Sequence, residues 1–354
     1  MTVSDNVTTP ASPTSGDTRP GFVSRLGDFV RNGVPSLRQQ RIIAFILLLC
    51  QGGITVSGSI VRVTGSGLGC VTWPNCHPGS LVPLEGTAPL IHQFIEFGNR
   101  LLTFVVLAAA LAAAFATHRA RRRKELKVYA WISVAGIFVQ ALIGALSVFL
   151  KLKWWAVAIH FLPSMVLVWI AALLYTRLRQ PDDGTPTQAF PRTIRNLAAV
   201  AAAALAVVLI TGTFVTGSGR HAGDAEEGML GRLHLDTESM AVVHAMCMYV
   251  YLVLTLVVII LLYRIRVSRR PRNIGWYLVV AILIQWAIGV IQVRLGIPRW
   301  TIPVHIGMSS LVTALTAALY AYGFVRTGGT EDLETGSVEG DKRYADRQAA
   351  LAAR

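Results

Sequence analysis

"VQALIGALSVFLKLKWWAVAIHF", residues 139–161, and "IQWAIGVIQVRLGIPRWTIPVHIG", residues 284–307, are two copies of one unit. At a constant offset of 145 residues, Gln140 falls on Gln285, Gly144 on Gly289, Trp155 on Trp300 and His160 on His305, with no gap. Each copy reads as the end of one apolar run, a short turn and the start of the next. Upstream, "VTGSG" at 63–67 recurs at 215–219, offset by 152 because the loop that follows is shorter in the second copy. Past that loop the offset of 145 returns and places Asn99 on His244. The chain is therefore an internal repeat.

Around these copies lie eight apolar runs, approximately 41–63, 92–117, 128–150, 155–176, 194–217, 238–263, 274–296 and 301–324. Crossing a bilayer takes roughly 20 apolar residues. Backbone polar groups in lipid must be satisfied within the segment, so each run is expected to be a helix. With 53% hydrophobic and 15% charged residues, and a mean hydropathy of +0.52, the composition lies outside the soluble range. Four spans per copy is an even number, so both copies enter the membrane in the same direction. They are expected to be parallel repeats about an axis along the membrane normal. An inverted-repeat transporter needs an odd number per copy, which counts against that class. The expectation is an all-α integral membrane protein of eight transmembrane helices in two four-helix bundles, 41–177 and 194–324. A linker at 178–193 joins the halves, and tails at 1–40 and 325–354 flank them. Residues 1–40, rich in Ser, Thr, Pro and Gly, read as a loose cytosolic tail rather than a cleaved signal.

The net charge of +14 raises the question of nucleic acid, and its distribution answers it. The 118–127 stretch "HRARRRKELK" carries six Arg or Lys, and "RIRVSRRPR" at 264–272 carries five Arg. The 64–91 loop has no Lys or Arg, and the 218–237 loop has two Arg against four acids. Basic and non-basic loops alternate, as membrane topology requires. Topology and contact with lipid head groups account for the charge without a nucleic-acid partner. Both termini are expected in the cytosol, in a multi-pass protein of the cell membrane.

That orientation puts "TGSGLGCVTWPNCHPGSLVP", residues 64–83, on the outer side with Cys70 and Cys76, where disulfides persist. The pair reads either as a structural staple or as a redox-responsive couple. Zinc is disfavoured, because His77 is the one further ligand nearby. Cys50 and Cys247 lie inside helices and read as small apolar fillers.

Polar residues inside apolar runs are costly and mark sites. His92 and Glu96 open the second helix, and His160, His244 and His305 lie near the starts of the fourth, sixth and eighth. All these helices run inward, so the five residues share one depth. Haem iron accepts two axial imidazoles from opposite sides, and facing helices can supply them. His244 and His305 suit that role, with no Asp, Glu or Cys beside them to suggest zinc or di-iron. In the first half Asn99, a poor axial ligand, mirrors His244. His92, Glu96 and Asn99 form one helical stripe. Arg100 follows, placed to bind a haem propionate or to pair with Glu96. His221 and His234 read as surface residues.

The chain resembles the haem A synthases over 41–324. The likeness rests on "TGSGLGC…WPNCHPGSLVP", "IEFGNR", "AVAIHF", "GRHAGD", "VVHAM" and "VHIG". The resemblance implies haem b held in the C-terminal half by His244 and His305. It implies that haem O is received in the N-terminal half with Glu96 and His160, and that its C8 methyl is oxidised to a formyl group by successive hydroxylation and loss of water. It also implies haem O synthase and an electron donor such as a ferredoxin system as partners; a homo-oligomer is compatible with the sequence. Two departures stand out. The family pattern has a histidine where this chain has Asn99, and often a second cysteine pair after helix 5 that this chain lacks. The expectation is that His92 and His160 flank the substrate haem, with Asn99 a hydrogen-bonding group beside it. The alternative reading is a membrane di-haem b cytochrome for quinone-linked electron transfer.

Overall fold

The computed structural model describes residues 33–222 and 232–328, and the architecture is that of the unit beginning at Pro35. The expected tails therefore lie mostly outside the described residues, as do the acids Asp224, Glu226 and Glu227. Among the described residues eight helices are long and apolar enough to cross a membrane. They are α1 (Leu37–Val63), α2 (Leu90–Arg119), α3 (Lys124–Phe149), α4 (Trp154–Arg177), α5 (Arg192–Ser218), α6 (Thr237–Arg264), α7 (Arg269–Arg294) and α8 (Thr301–Ala321). The chain is an eight-span, all-α integral membrane protein. Its outward side chains fit that solvent: Phe104 is 67% exposed, and Leu142 and Trp300 are 64% exposed. In water such a surface would aggregate.

Local chemistry sets the ends. Ser36 caps α1 with a capping box, accepting from Gln39 N at 3.2 Å while its own N–H donates to Gln39 Oε1 at 2.8 Å. Asp236 caps α6 by accepting from Ser239 N at 2.7 Å. The tight turns repeat with the sequence. Arg121 and Arg266, 145 residues apart, both take positive φ (47° and 52°), as do Leu152 and Ile297 (56° and 59°). Leu152 N–H donates to Ser147 O at 2.9 Å and Ile297 N–H to Gln292 O at 2.8 Å, closing the preceding helix the same way. Trp131 Nε1 donates to His118 Nε2 and Trp276 Nε1 to Tyr263 Oη, each at 2.8 Å, again 145 residues on.

α1 to α4 pack in a ring, α1 on α2, α2 on α3, α3 on α4 and α4 on α1; α5 to α8 do the same. Each ring has its own apolar interior: Leu47, Ala110, Leu126 and Leu174 in the first, Leu205, Tyr251, Leu278 and Val312 in the second. The rings meet where α8 lies on α1 and α4. Small residues make that approach close. Ala172 and Ala317 are buried there, and Thr55 Oγ1 lies 3.0 Å from Ser310 Oγ.

At the end away from the cysteine loop two expectations are corrected. The arginines of 118–127 are not all free for solvent or head groups. The Arg122 side chain is fully buried, 2.9 Å from Asp182 Oδ2, and donates to the Leu178 and Gln180 carbonyls at 2.9 and 3.2 Å. Arg123 reaches Asp182 Oδ1 at 3.2 Å. The 178–193 linker carries strand β1 (Thr185–Gln188), antiparallel to β2 (Phe324–Thr327), with Thr185 opposite Thr327. β2 follows the end of α8 at Ala321, so the expected helix to 324 stops three residues early.

Candidate functional site

In the first ring the site is built on one face of α2. Gln93, Glu96 and Arg100 follow at helical spacing and all point into the 64–89 loop. Glu96 Oε2 accepts from the Cys70 N–H at 2.7 Å, and Glu96 Oε1 pairs with Arg100 Nη2 at 2.6 Å. Arg100 also donates to the carbonyls of Cys70 (3.2 Å), Thr72 (2.9 Å), Asn75 (3.2 Å) and Pro74 (3.5 Å). Of the two roles read for Arg100, the structure shows the ion pair with Glu96. Its guanidinium is the clamp of the cysteine loop. Cys70 and Cys76 are disulfide-bonded and both fully buried.

Gln93 escaped the sequence reading, and His77 entered it only as a possible zinc ligand. Gln93 Oε1 lies 2.7 Å from His77 Nε2 and accepts from Leu84 N at 2.9 Å; Gln93 Nε2 donates to the Leu84 and Ala88 carbonyls, each at 2.9 Å. Both side chains are buried. Gln93 sits one turn before Glu96 and His77 directly follows Cys76, and those positions were the available signal. Gly69 lets the loop lie against α2: a Cβ there would stand 2.8 Å from the backbone of His92.

The other predicted residues of this ring are spread out. Asn99 Oδ1 lies 2.7 Å from Ser57 Oγ on α1. His160 packs against Gly144, whose added Cβ would meet its Cε1 at 3.3 Å. The His160 carbonyl accepts from Gln140 Nε2 at 3.0 Å, and His160 Nδ1 is buried without a partner. His92 is half-buried at the floor of the loop, and among the described residues no ring contact joins it to His160.

The second ring brings its two histidines together. The His244 and His305 rings lie 6.3 Å apart, centre to centre, inclined at 54°. Two imidazoles sharing one metal, with metal–nitrogen distances of about 2 Å, place their ring centres about 6 Å apart. His244 Nδ1 lies 3.1 Å from Thr211 Oγ1, which orients the ring and leaves Nε2 for a ligand. Added Cβ atoms at Gly212 and Gly289 would stand 3.2 and 3.5 Å from the Cε1 atoms of His244 and His305. Those glycines give the imidazoles room. Gln285 Nε2 donates to the His305 carbonyl at 3.0 Å and to Ser309 Oγ at 2.9 Å, the arrangement of Gln140, His160 and Ser164 repeated. His305 Nδ1 is also a buried orphan. A pair of spaced imidazoles in an apolar bundle fits an axially ligated haem.

Residues 41–317 match the family model described as cytochrome oxidase assembly protein, COX15-CtaA. The chain belongs to this family. Its relatives include proteins named heme A synthase. That of Exiguobacterium sibiricum is 30% identical over 173 residues, covering 48% of this chain and 55% of the relative. That of Lysinibacillus sphaericus is 37% identical over 115 residues, covering 32% and 36%. That of Geobacillus kaustophilus is 29% identical over 150 residues, covering 40% and 46%. The aligned part thus spans about half the length of these relatives, or less. The COX15-CtaA match reaches into all eight spans and contains every site residue above.

His221, read as a surface residue, is half-buried. His234 is exposed, as expected.

Proposed function

We propose that this protein is a haem A synthase, oxidising the C8 methyl of haem O to a formyl group for terminal oxidases, with haem b held between His244 and His305. The observation that carries the reading is the asymmetry of the two rings. The second has a complete imidazole pair at 6.3 Å, whereas the first sets a buried carboxylate, Glu96, beneath a disulfide-closed loop. A di-haem electron carrier would have two complete pairs. The relatives named heme A synthase support the same conclusion.

Haem b, when bound, supplies an electron-transfer centre inside the bundle. The protein's own groups do the rest. His160, with His92 on the loop side, flanks haem O, and Asn99 is held by Ser57 as a hydrogen-bonding group beside it. Conversion of a methyl to a formyl group replaces two hydrogens by one oxygen, a four-electron oxidation that needs an external oxidant such as dioxygen beside the electron donor. Glu96 is the group placed to take a proton at Oε2 as the methyl is oxidised. Arg100 holds that carboxylate in place and ties it to the loop. The loop excludes water from the pocket mouth. Haem O synthase and a redox partner such as a ferredoxin system are the partners this reaction implies. The alternation of basic and non-basic loops supports cytosolic termini and an outer cysteine loop. The halves divide the labour, 41–177 for the substrate and 194–324 for haem b.

The test is chemical. Purified protein supplied with haem O, a reductant and dioxygen should yield haem A by extraction and mass spectrometry. Recovery of haem O alone, with an intact low-spin spectrum, would favour the electron carrier.

A further inference from the structure

The end of the second ring nearest the cysteine loop gathers basic groups that the reaction above does not use. Arg62, the last turn of α1, reaches across to α5 and donates from Nη2 to the Thr216 carbonyl at 2.9 Å. Its Nε is buried without a partner. His221 lies five residues beyond Thr216, is half-buried, and is close enough to Arg62, Arg220 and Arg299 to feel their charge. Among the described residues none of these four basic groups has an acidic partner in an ion pair.

Their placement relative to the imidazole pair is fixed by the helices. Thr211 touches His244 and Thr216 touches Arg62, five residues apart on α5, or roughly 7–8 Å of helical rise. Arg299 precedes His305 by six residues, at the turn that opens α8. Both arginines thus stand one to two turns beyond the imidazoles, at the same end. Away from that end the ring interior is apolar or neutral, with Met248, Tyr251, Leu278 and Val312. A haem carries two carboxylates on one edge of an otherwise apolar disc. Burial holds the His221 imidazole below the usual histidine range, and Arg299, Arg62 and Arg220 add to this, so His221 stands as a neutral N–H donor. Arg299 is exposed at the rim, and the largely buried Arg62 guanidinium, without an acidic partner among the described residues, favours an arriving anion.

We propose that Arg62, His221 and Arg299 form a carboxylate site that takes the propionates of the haem ligated by His244 and His305. This rests on the haem b assignment above. It gives a role to His221 of "RHAGD" after α5 and to an arginine contributed by the other ring. The charge-assisted bonds also make haem retention depend on α1, outside the ring that supplies the iron ligands.

The test uses full-length apoprotein in lipid nanodiscs, loaded with iron protoporphyrin IX or with its dimethyl ester, whose carboxylates are blocked. Haem release to excess apomyoglobin is timed. Wild type should release the ester about ten- to a hundredfold faster than the free acid, the worth of one or two charge-assisted bonds. Arg62→Gln and Arg299→Gln should speed release of the free acid and shrink its advantage over the ester; Arg62→Lys should restore part of it. Equal release of both haems from wild type would overturn the proposal. So would variants that speed both haems by the same factor, as a lipid-phosphate site or a general loss of packing would produce. His305→Ala separates the underlying assignment: it should abolish the low-spin spectrum with either haem. If that spectrum persists, the iron assignment and the propionate site both fall.

Discussion

Glu96 shows what one residue can do when its neighbours leave it a single conformation. Its two oxygens are taken by different partners, the Cys70 N–H and the Arg100 guanidinium, so it cannot swing without releasing the loop. Glu96→Gln keeps the shape and removes the charge. Haem b and its spectrum should remain, while haem A formation falls at least about a hundredfold, the usual worth of a general base. Retained conversion in haem extracts would reduce Glu96 to a loop anchor. His92 and Asn99 divide the remaining question. Asn99 is tied to Ser57, whereas His92 lies under Gly69 with its ring uncommitted among the described contacts. If His92 is an iron ligand of the substrate, His92→Ala should lose haem O binding as severely as His160→Ala, read by titration of the Soret band. Binding retained in His92→Ala but lost in His160→Ala would leave one protein ligand in this ring. The His244–His305 pairing and the burial of Glu96 were legible in the sequence because a polar group in an apolar run must be buried or paired. Gln93 and His77 were not, because a polar residue beside a polar loop carries no such contrast.

At the scale of elements, the 64–89 loop depends on approach distances more than on turn chemistry. Gly69 has an ordinary helical φ of −61°, so its glycine is required by contact: a Cβ would stand 2.8 Å from backbone atoms that cannot step aside. A Cβ added at Gly67 would meet Leu152 Cδ1 at 2.6 Å, the end of a side chain that can turn away. Gly79, at φ +80°, has open space around it, and an alanine there would cost about 1 kcal/mol in backbone strain alone. Gly69→Ala should therefore be the most damaging of the three, by roughly 1–3 kcal/mol, and should lift Cys70 from Glu96. Thermal unfolding and limited proteolysis of the loop would rank them; equal effects at Gly69 and Gly79 would refute the contact argument. The helices themselves were legible because apolar length and the repeat agree. Strands β1 and β2 were not: "TPTQ" and "FVRT" are four residues each and find each other across more than 130 positions.

At the scale of the whole molecule, the two rings are held at both ends as well as along their seam. Arg62 bridges them at one end, and the β1–β2 ladder joins the exit of α4 to the exit of α8 at the other. That ladder is anchored through Asp182, which faces Arg122 at 2.9 Å and Arg123 at 3.2 Å with 6% of its side chain exposed. Arg122 is fully buried, so the pair has given up its water and depends on geometry. Asp182→Asn would leave two guanidinium groups facing a neutral amide in a desolvated site. Breaking a buried pair from one side costs about 3–5 kcal/mol. The effect should appear as a lower unfolding temperature and earlier proteolysis within 178–193, with the His244–His305 haem spectrum intact in the folded fraction. Arg122→Met with Asp182→Asn should recover part of the loss, because the double change removes the more deeply buried of the two stranded charges. An Asp182→Asn protein as stable as wild type would mean that the carbonyls of Leu178 and Gln180 already hold Arg122, and that the ladder stands without the ion pair.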